Sequence, residues 1–394
     1  MKTKFCGWFL VVALCAGVQQ AVAQTVKLGI LKATNQIVLS WPATVTNGVL
    51  ESATNLASPT WVALSNVVTG TVSNTVTVTN TLFARFFRLY LNTNAAPTNP
   101  PAPSGMALIP AGSFTMGDVA DNNEAGDAAP ITVYVSAFYL DQTDVTEALW
   151  QQVYNWAIAH GYSFDDSGSG LDGSGYTKGP NYPVVLVNWY DCVKWCNARS
   201  EMEGRTPAYY TTAAQTAVYR TGDLDLANGC VNWTGGYRLA TEAEWEKAAR
   251  GGLNGQRFPW GSTISESQAN YYGDPASSGG YTYDLGPYGY NAKFDTGSYP
   301  YTSPVGSFAA NGYGLYDMAG NVWQWCWDWY GTYAGGSDSR GPTSGTYRVL
   351  RGGSWNDVAI NCRSAVRSNG DPNGNGYGYN LGLLGFRSAL PVSQ

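Results

Sequence analysis

Short runs in which β-branched and aromatic residues alternate with polar ones open the chain. QIVLSW (Gln36–Trp41), WVALSNVV (Trp61–Val68), NTVTVTN (Asn74–Asn80) and FFRLYL (Phe86–Leu91) each read as a strand, with Asn, Thr, Gly and Ser between them. This style holds over residues 24–92 and predicts a small all-β sandwich. No catalytic constellation falls within it, so the segment reads as a spacer or interaction module. The proline-rich stretch 93–105 then predicts an extended linker.

From 106 to 391 the pattern changes, and only three stretches carry a helical period with proper ends. One starts at Thr146 and stops at Gly161. A second is capped by Asn188 and stops at Gly204. The third has Thr241 and Glu244 placed as a capping box and ends at Gly251-Gly252. Its carboxylates Glu242, Glu244 and Glu246 are explained by capping and the helix dipole, without acid–base chemistry. The remainder predicts short strands and long loops, hence an α+β domain with little regular structure.

Charge and composition narrow the setting. Lys2 and Lys4 precede an apolar stretch, FLVVALCAGV, and Ala21-Val22-Ala23 supplies small residues for cleavage, so 1–23 reads as a signal peptide. Leu14 ahead of Cys15 is too large for a lipoprotein site. The expected location is secreted, periplasmic or at the cell surface, with no membrane insertion. The formal net charge is −6 and there is no basic run, which argues against nucleic-acid binding. Tyrosine (27), tryptophan (15) and glycine (47) are abundant, as in loop-rich proteins with polar-aromatic surfaces. The single histidine, His160, sits beside Gly161 at a predicted helix end, where a histidine meets the helix dipole favourably.

Nine segments then stand in order: MALIPAGSFTMGD, FYLDQTDVTEALW, PVVLVNWYDCVKWCN, GYRLATEAEWEKAARGG, FPWGS, SPVGSFAANGYGLYDMAGNVWQWCWDWY, RVLRGGSW, CRSAVR and LGFRSAL. Together they resemble the formylglycine-generating enzyme, or sulfatase-modifying factor, family over Met106–Leu390. The resemblance implies a variant of the C-type-lectin fold. It also implies an oxidation in which copper(I), oxygen and two cysteines convert a target cysteine of a sulfatase to formylglycine. A cuprous ion wants two soft thiolates. The first of these positions, two residues beyond the Gly352-Gly353-Ser354-Trp355 turn, is Asp357. The second falls in Val358–Asn361, which has no cysteine, and Cys362 lies further on. The expectation is therefore a domain without copper-oxidase chemistry. The alternative is a sulfatase-modifying oxidoreductase with non-standard chemistry. The iron-dependent branch of the superfamily needs three histidines, and this chain has one.

Other positions carry over by the same resemblance. Trp325 and Ser354 match residues lining the oxygen and copper site, and Arg367 matches one near the substrate. Gly320, Asn321 and Val322 match a calcium loop whose acidic ligand is replaced by Gln324. Asn270 and Tyr271 match a second calcium loop whose aspartate is missing near Gly297, with Asp295 as the substitute. One bound calcium is expected. Cys196 matches a half-cystine whose partner is Ser388 here, so Cys192 and Cys196 read as small buried hydrophobes. The fold implied by the resemblance brings Cys326 and Cys362 together, and they are expected to form a disulfide.

Between Trp355 and the final segment, residues 356–384 contain no Lys, Glu, Gln, Met or Trp. Small polar residues with rigid tyrosines suit adaptable binding loops. Asn356, Asp357, Asn361, Asn369, Asp371, Asn373, Tyr377 and Tyr379 are the candidate binding positions. Some bacterial proteins of this resemblance are diversified by retroelements that mutate adenines, and every residue here is one that asparagine-type codons could yield. A static loop gives the same composition. The expected ligand is a glycan or a protein.

Overall fold

A computed structural model describes residues 102–121, 128–168, 178–374 and 382–392, together with seven strands between 29 and 91. The expected leader, most of the linker, and Tyr377 and Tyr379 lie outside the described residues. The chain divides into two units, Met1–Asn99 and Pro100–Gln394.

In the first unit the strands form two antiparallel sheets. Gln36–Pro42 pairs with Gly29–Ala33 and with Ser73–Thr79, which in turn pairs with Val67–Val68. Gly48–Ala53 lies between Val62–Ala63 and Phe86–Leu91. The Val/Thr alternation of NTVTVTN suits such a ladder, because branched side chains pack well on a pleated surface.

The second unit is mixed α+β, and its helices begin where local chemistry places them. In α1 (Glu147–Ala159) the Thr146 side chain accepts from Leu149 N–H, and Trp150, Val153 and Ala157 form the buried face. His160 closes the helix with its ring stacked 3.8 Å from that of Trp156 and its Nδ1 2.7 Å from the Trp156 carbonyl oxygen. In α2 (Trp189–Met202) the Asn188 side chain accepts from Asp191 N–H. This helix is buried almost all round, so its polar groups are paired: Lys194 with Asp191 at 3.0 Å, and Arg199 with Asp141 at 2.9 Å. α3 (Glu242–Ala249) carries the full Thr241–Glu244 capping box. Among the described residues no helix is long and apolar enough to cross a membrane.

Capping accounts for only part of the α3 carboxylates. Glu244 caps the helix and also takes both arms of Arg238 at 2.6 Å. Glu242 grips Arg367 at 2.6 and 2.8 Å. Glu246, fully buried, holds Arg250 at 2.7 Å and Arg351 as well. The helix is thus the acidic half of a buried ion-pair network.

Trp323–Trp329 is one of two inner strands of a four-stranded sheet. It runs antiparallel to Arg348–Arg351 and parallel to Leu384–Gly385, and Arg348–Arg351 also pairs with Arg367–Gly370. All seven of its residues are buried. Alternation assigns its faces. Trp323, Trp325 and Trp327 enter the large core, and Cys326 enters a second cluster with Trp245 and Leu140. Each indole N–H finds an acceptor: Asp357 Oδ2 at 2.8 Å, the Val187 carbonyl at 3.1 Å and Asn228 Oδ1 at 2.8 Å.

The expected Cys326–Cys362 disulfide is corrected here. Cys192, Cys196, Cys230, Cys326 and Cys362 are all free and buried. Cys326 faces the α3 side of its strand, whereas Cys362 packs with Phe258, Ile264 and Ala319 in a third cluster. The two segments are near in the fold, but their thiols point into different parts of the core.

Candidate functional site: a braced Gly-Gly turn, a cavity and an aromatic cluster

Two left-handed glycines begin the site. Gly352 (φ 101°) and Gly353 (φ 74°) turn the chain, and each is pressed from behind. A Cβ on Gly352 would lie 3.1 Å from the Trp245 ring, and one on Gly353 would lie 2.8 Å from Cys362 Sγ. Cys362 therefore fills the space under the turn, with no exposed surface. Burial pushes its thiol pKa well up, with Asp357 and Asp284 adding to the effect. A protonated, enclosed thiol is an inert one.

Asp357 braces the turn from the other side. Its Oδ2 accepts from Trp323 Nε1 at 2.8 Å, from Ser354 N–H at 3.1 Å and from the Ser354 hydroxyl; its Oδ1 accepts from Asn361 Nδ2 at 3.1 Å. Burial raises its pKa while these donors oppose the rise. Both oxygens are committed, and one hard carboxylate beside one buried thiol does not make a cuprous site. The residues present do not fit copper.

The remaining positions carried over by resemblance are also structural. Trp325 is 1% exposed and lies beneath Gly370, whose Cβ would come within 2.5 Å of its ring. Arg367 is bound to Glu242 and stacks 4.2 Å from the Tyr333 ring centroid, so its guanidinium is occupied.

The calcium expectations change too. Gln324 offers no ligand, because its amide oxygen already accepts from Trp245 Nε1 (2.6 Å) and Arg387 Nε (2.8 Å). A guanidinium at that distance also repels a cation. Asn270 and Asn321 do meet, but as backbone: Asn321 N–H donates to the Asn270 carbonyl at 2.8 Å, against Gly320. Val322 is buried in the adjoining strand start. The carboxylate beside Tyr271 is Asp284, not Asp295. It accepts from the Tyr271 hydroxyl and from the N–H groups of Asp274 (2.6 Å) and Gly286 (2.9 Å), while Asp295 caps a turn at Gly297. Among the described residues no group of three or more His, Cys, Asp or Glu is placed to hold a metal.

Open space lies next to the braced turn. A cavity of about 350 Å³ is lined by Tyr347, Leu350, Asn369, Gly370, Asp371, Gly374 and Leu384. Asn369 and Asp371 line it as binding candidates, and Asn373 sits in the turn that Asp371 Oδ1 accepts from at 3.0 Å. Asn361 belongs to the brace. Asn356 does not line the cavity; its Oδ1 accepts from the Tyr290 hydroxyl at 2.9 Å. The apolar floor of Tyr347, Leu350 and Leu384 was not anticipated from sequence, because strands of this kind read simply as core. At Gly382 the chain passes between Pro300 and Trp355, whose indole N–H points at the Gly382 carbonyl at 3.4 Å.

Residues 92–390 match the sulfatase-modifying factor enzyme 1-like domain. A formylglycine-generating enzyme of Thermomonospora curvata is 33% identical over 298 residues, covering 64% of this chain and 82% of that protein. The chaperone protein LppX of Paenibacillus barcinonensis is 33% identical over 263 residues, covering 65% of this chain and 82% of that one. Among solved structures, Treponema denticola variable protein 1 superposes with a TM-score of 0.53 at 31% identity, over 73% of this chain and 94% of that chain. Because the family match spans residues 92–390, about three quarters of the sequence, this chain belongs to the sulfatase-modifying factor enzyme 1-like family.

Proposed function

We propose that this chain is an exported ligand-binding protein that uses the family fold without the copper oxidation. One observation carries the reading: at the turn where the chemistry would need two reactive thiols stand a fully hydrogen-bonded Asp357 and a buried Cys362. The binding surface is the cavity bordered by Asn369 and Asp371 and the small-polar stretch around it, on the face that lectin-type folds use for ligands. The likeness to a protein named a variable protein supports a diversified version of this surface. The first unit then serves as a β-sandwich spacer or adhesion module.

The test is to incubate the full chain with copper(I), oxygen and a cysteine-containing sulfatase peptide and to measure the peptide mass. An unchanged peptide is expected; conversion of its cysteine to formylglycine would end the reading.

A further inference from the structure

Tyr272, Tyr288, Tyr290, Tyr299, Tyr301 and Trp355 form one continuous set of rings that no candidate site has used so far. Tyr288 stands edge-on to Tyr272 at 5.5 Å, and Tyr272 to Tyr290 at 4.8 Å. Tyr290 meets Tyr301 at 4.9 Å and Trp355 at 5.7 Å, while Tyr299 lies 4.8 Å from Tyr301 and 5.3 Å from Trp355. Trp355 is buried at the root, yet Tyr288 is 66% and Tyr299 46% exposed. Solvent therefore reaches large rings that are themselves held rigid by packing.

The spacings decide what such a surface can take. A cation cage or a proline slot inserts its guest between two rings, which must then stand about 7–8 Å apart, twice the ~3.5–4 Å of carbon contact. The rings that meet Trp355, Tyr301 and Tyr290 lie at 4.8–5.7 Å and touch one another. Nothing enters between them, so a ligand can only stack on an outer face. Ring faces carry the negative side of the quadrupole and attract the weakly positive C–H face of a sugar. Polar groups stand at the edge, as sugar hydroxyls require. Asn356 is hydrogen-bonded to Tyr290, and Lys178 Nζ lies 5.7 Å over Tyr301 while donating to the Phe294 carbonyl at 3.3 Å.

We infer that the Tyr288–Tyr299–Tyr301 surface, rooted on Trp355, is a stacking platform for a neutral oligosaccharide. This rests on the ligand-binding reading above and names its ligand class.

The test applies the full chain to an array of neutral and acidic oligosaccharides, then titrates the strongest neutral binder calorimetrically. Tyr299→Ala should weaken binding at least tenfold and Tyr288→Ala several-fold. Tyr134→Ala, 39% exposed on the strand Ile131–Val135, should change nothing. Equal thermal midpoints verify that the variants fold, and Tyr288, being the more exposed, serves should Tyr299→Ala lose stability. Retention of no neutral glycan, or of acidic glycans alone, would overturn the inference. A neutral glycan held equally by both tyrosine variants but lost in Asp371→Ala would overturn the platform and leave the binding reading standing. Peptide oxidation in the copper assay would remove that reading and the platform's role with it.

Discussion

On one side of the Arg351–Trp355 turn lies a dry network of charge; on the other lies a face of tyrosines and small polar residues. Behind the turn, Glu246 and Glu242 hold Arg351 and Arg367 with almost no exposure. In front of it, Trp355 anchors rings that end in exposed Tyr288 and Tyr299. The back has the features of a scaffold, in which Arg250, Arg351 and Arg367 each meet a carboxylate, because breaking a buried pair leaves a costly unpaired charge. The front instead leaves large rings open to solvent, at Tyr288 and Tyr299. Positions that match the family's reactive pocket fall on the back or in the turn itself. Keeping them preserves the fold whether or not any chemistry remains.

The largest expected effect would break the back alone. Arg351→Ala leaves Glu246 with Arg250 only and should cost about 3–5 kcal/mol, seen as a lowered urea midpoint. Asp357→Ala attacks the turn between the two regions. It strips the Trp323 and Ser354 donors of their acceptor and should cost about 3 kcal/mol, by the same measurement. A stability change below about 0.5 kcal/mol for either variant would mean that the network is incidental.

A third prediction concerns pH and lies again behind the turn. Burial raises Asp144 to about 8, with Asp317 adding and Arg387 opposing, and burial raises Asp317 itself to about 6. Asp144 Oδ2 and Asp317 Oδ1 are buried without a hydrogen-bond partner. A folded-state pKa above the unfolded 3.8 means that the native protein keeps these protons after the unfolded chain has released them. Stability from this source is full below about pH 4 and is lost as pH rises to about 8. Denaturant midpoints should fall for the native chain from about pH 6 to 8 and fall less for Asp144→Asn; identical slopes would refute the assignment. The smallest effect sharpens the cysteine result. With no disulfide among the described cysteines, excess dithiothreitol should leave the thermal midpoint unchanged, whereas loss of a real bridge would remove about 2–4 kcal/mol.

Helix ends were legible because they are local. Thr146, Asn188 and Thr241 each cap a turn three residues away, so the pattern contains both partners. The absence of a thiol pair at Asp357 was legible for the same reason. What escaped was set at long range. Glu242 and Glu246 looked like capping residues, yet their arginines lie 125 and 105 positions away. Gln324 looked like a calcium ligand until Trp245 and Arg387 were seen to occupy its oxygen. Asp284, 13 positions from Tyr271 and in no motif read from the sequence, is the carboxylate that accepts from its hydroxyl.

By itself, then, the sequence pointed to the strands Gln36–Pro42, Ser73–Thr79 and Phe86–Leu91 but not to Gly29–Ala33 or Gly48–Ala53, and to the three helices and the lack of paired thiols, all of which depend on neighbours within a few residues. Tertiary structure alone decided which way Cys326 and Cys362 point, which carboxylates neutralise which arginines, and that six dispersed aromatic residues pack into one cluster. A side chain's chemistry is fixed by its type, but its availability depends on which distant groups have already bound it.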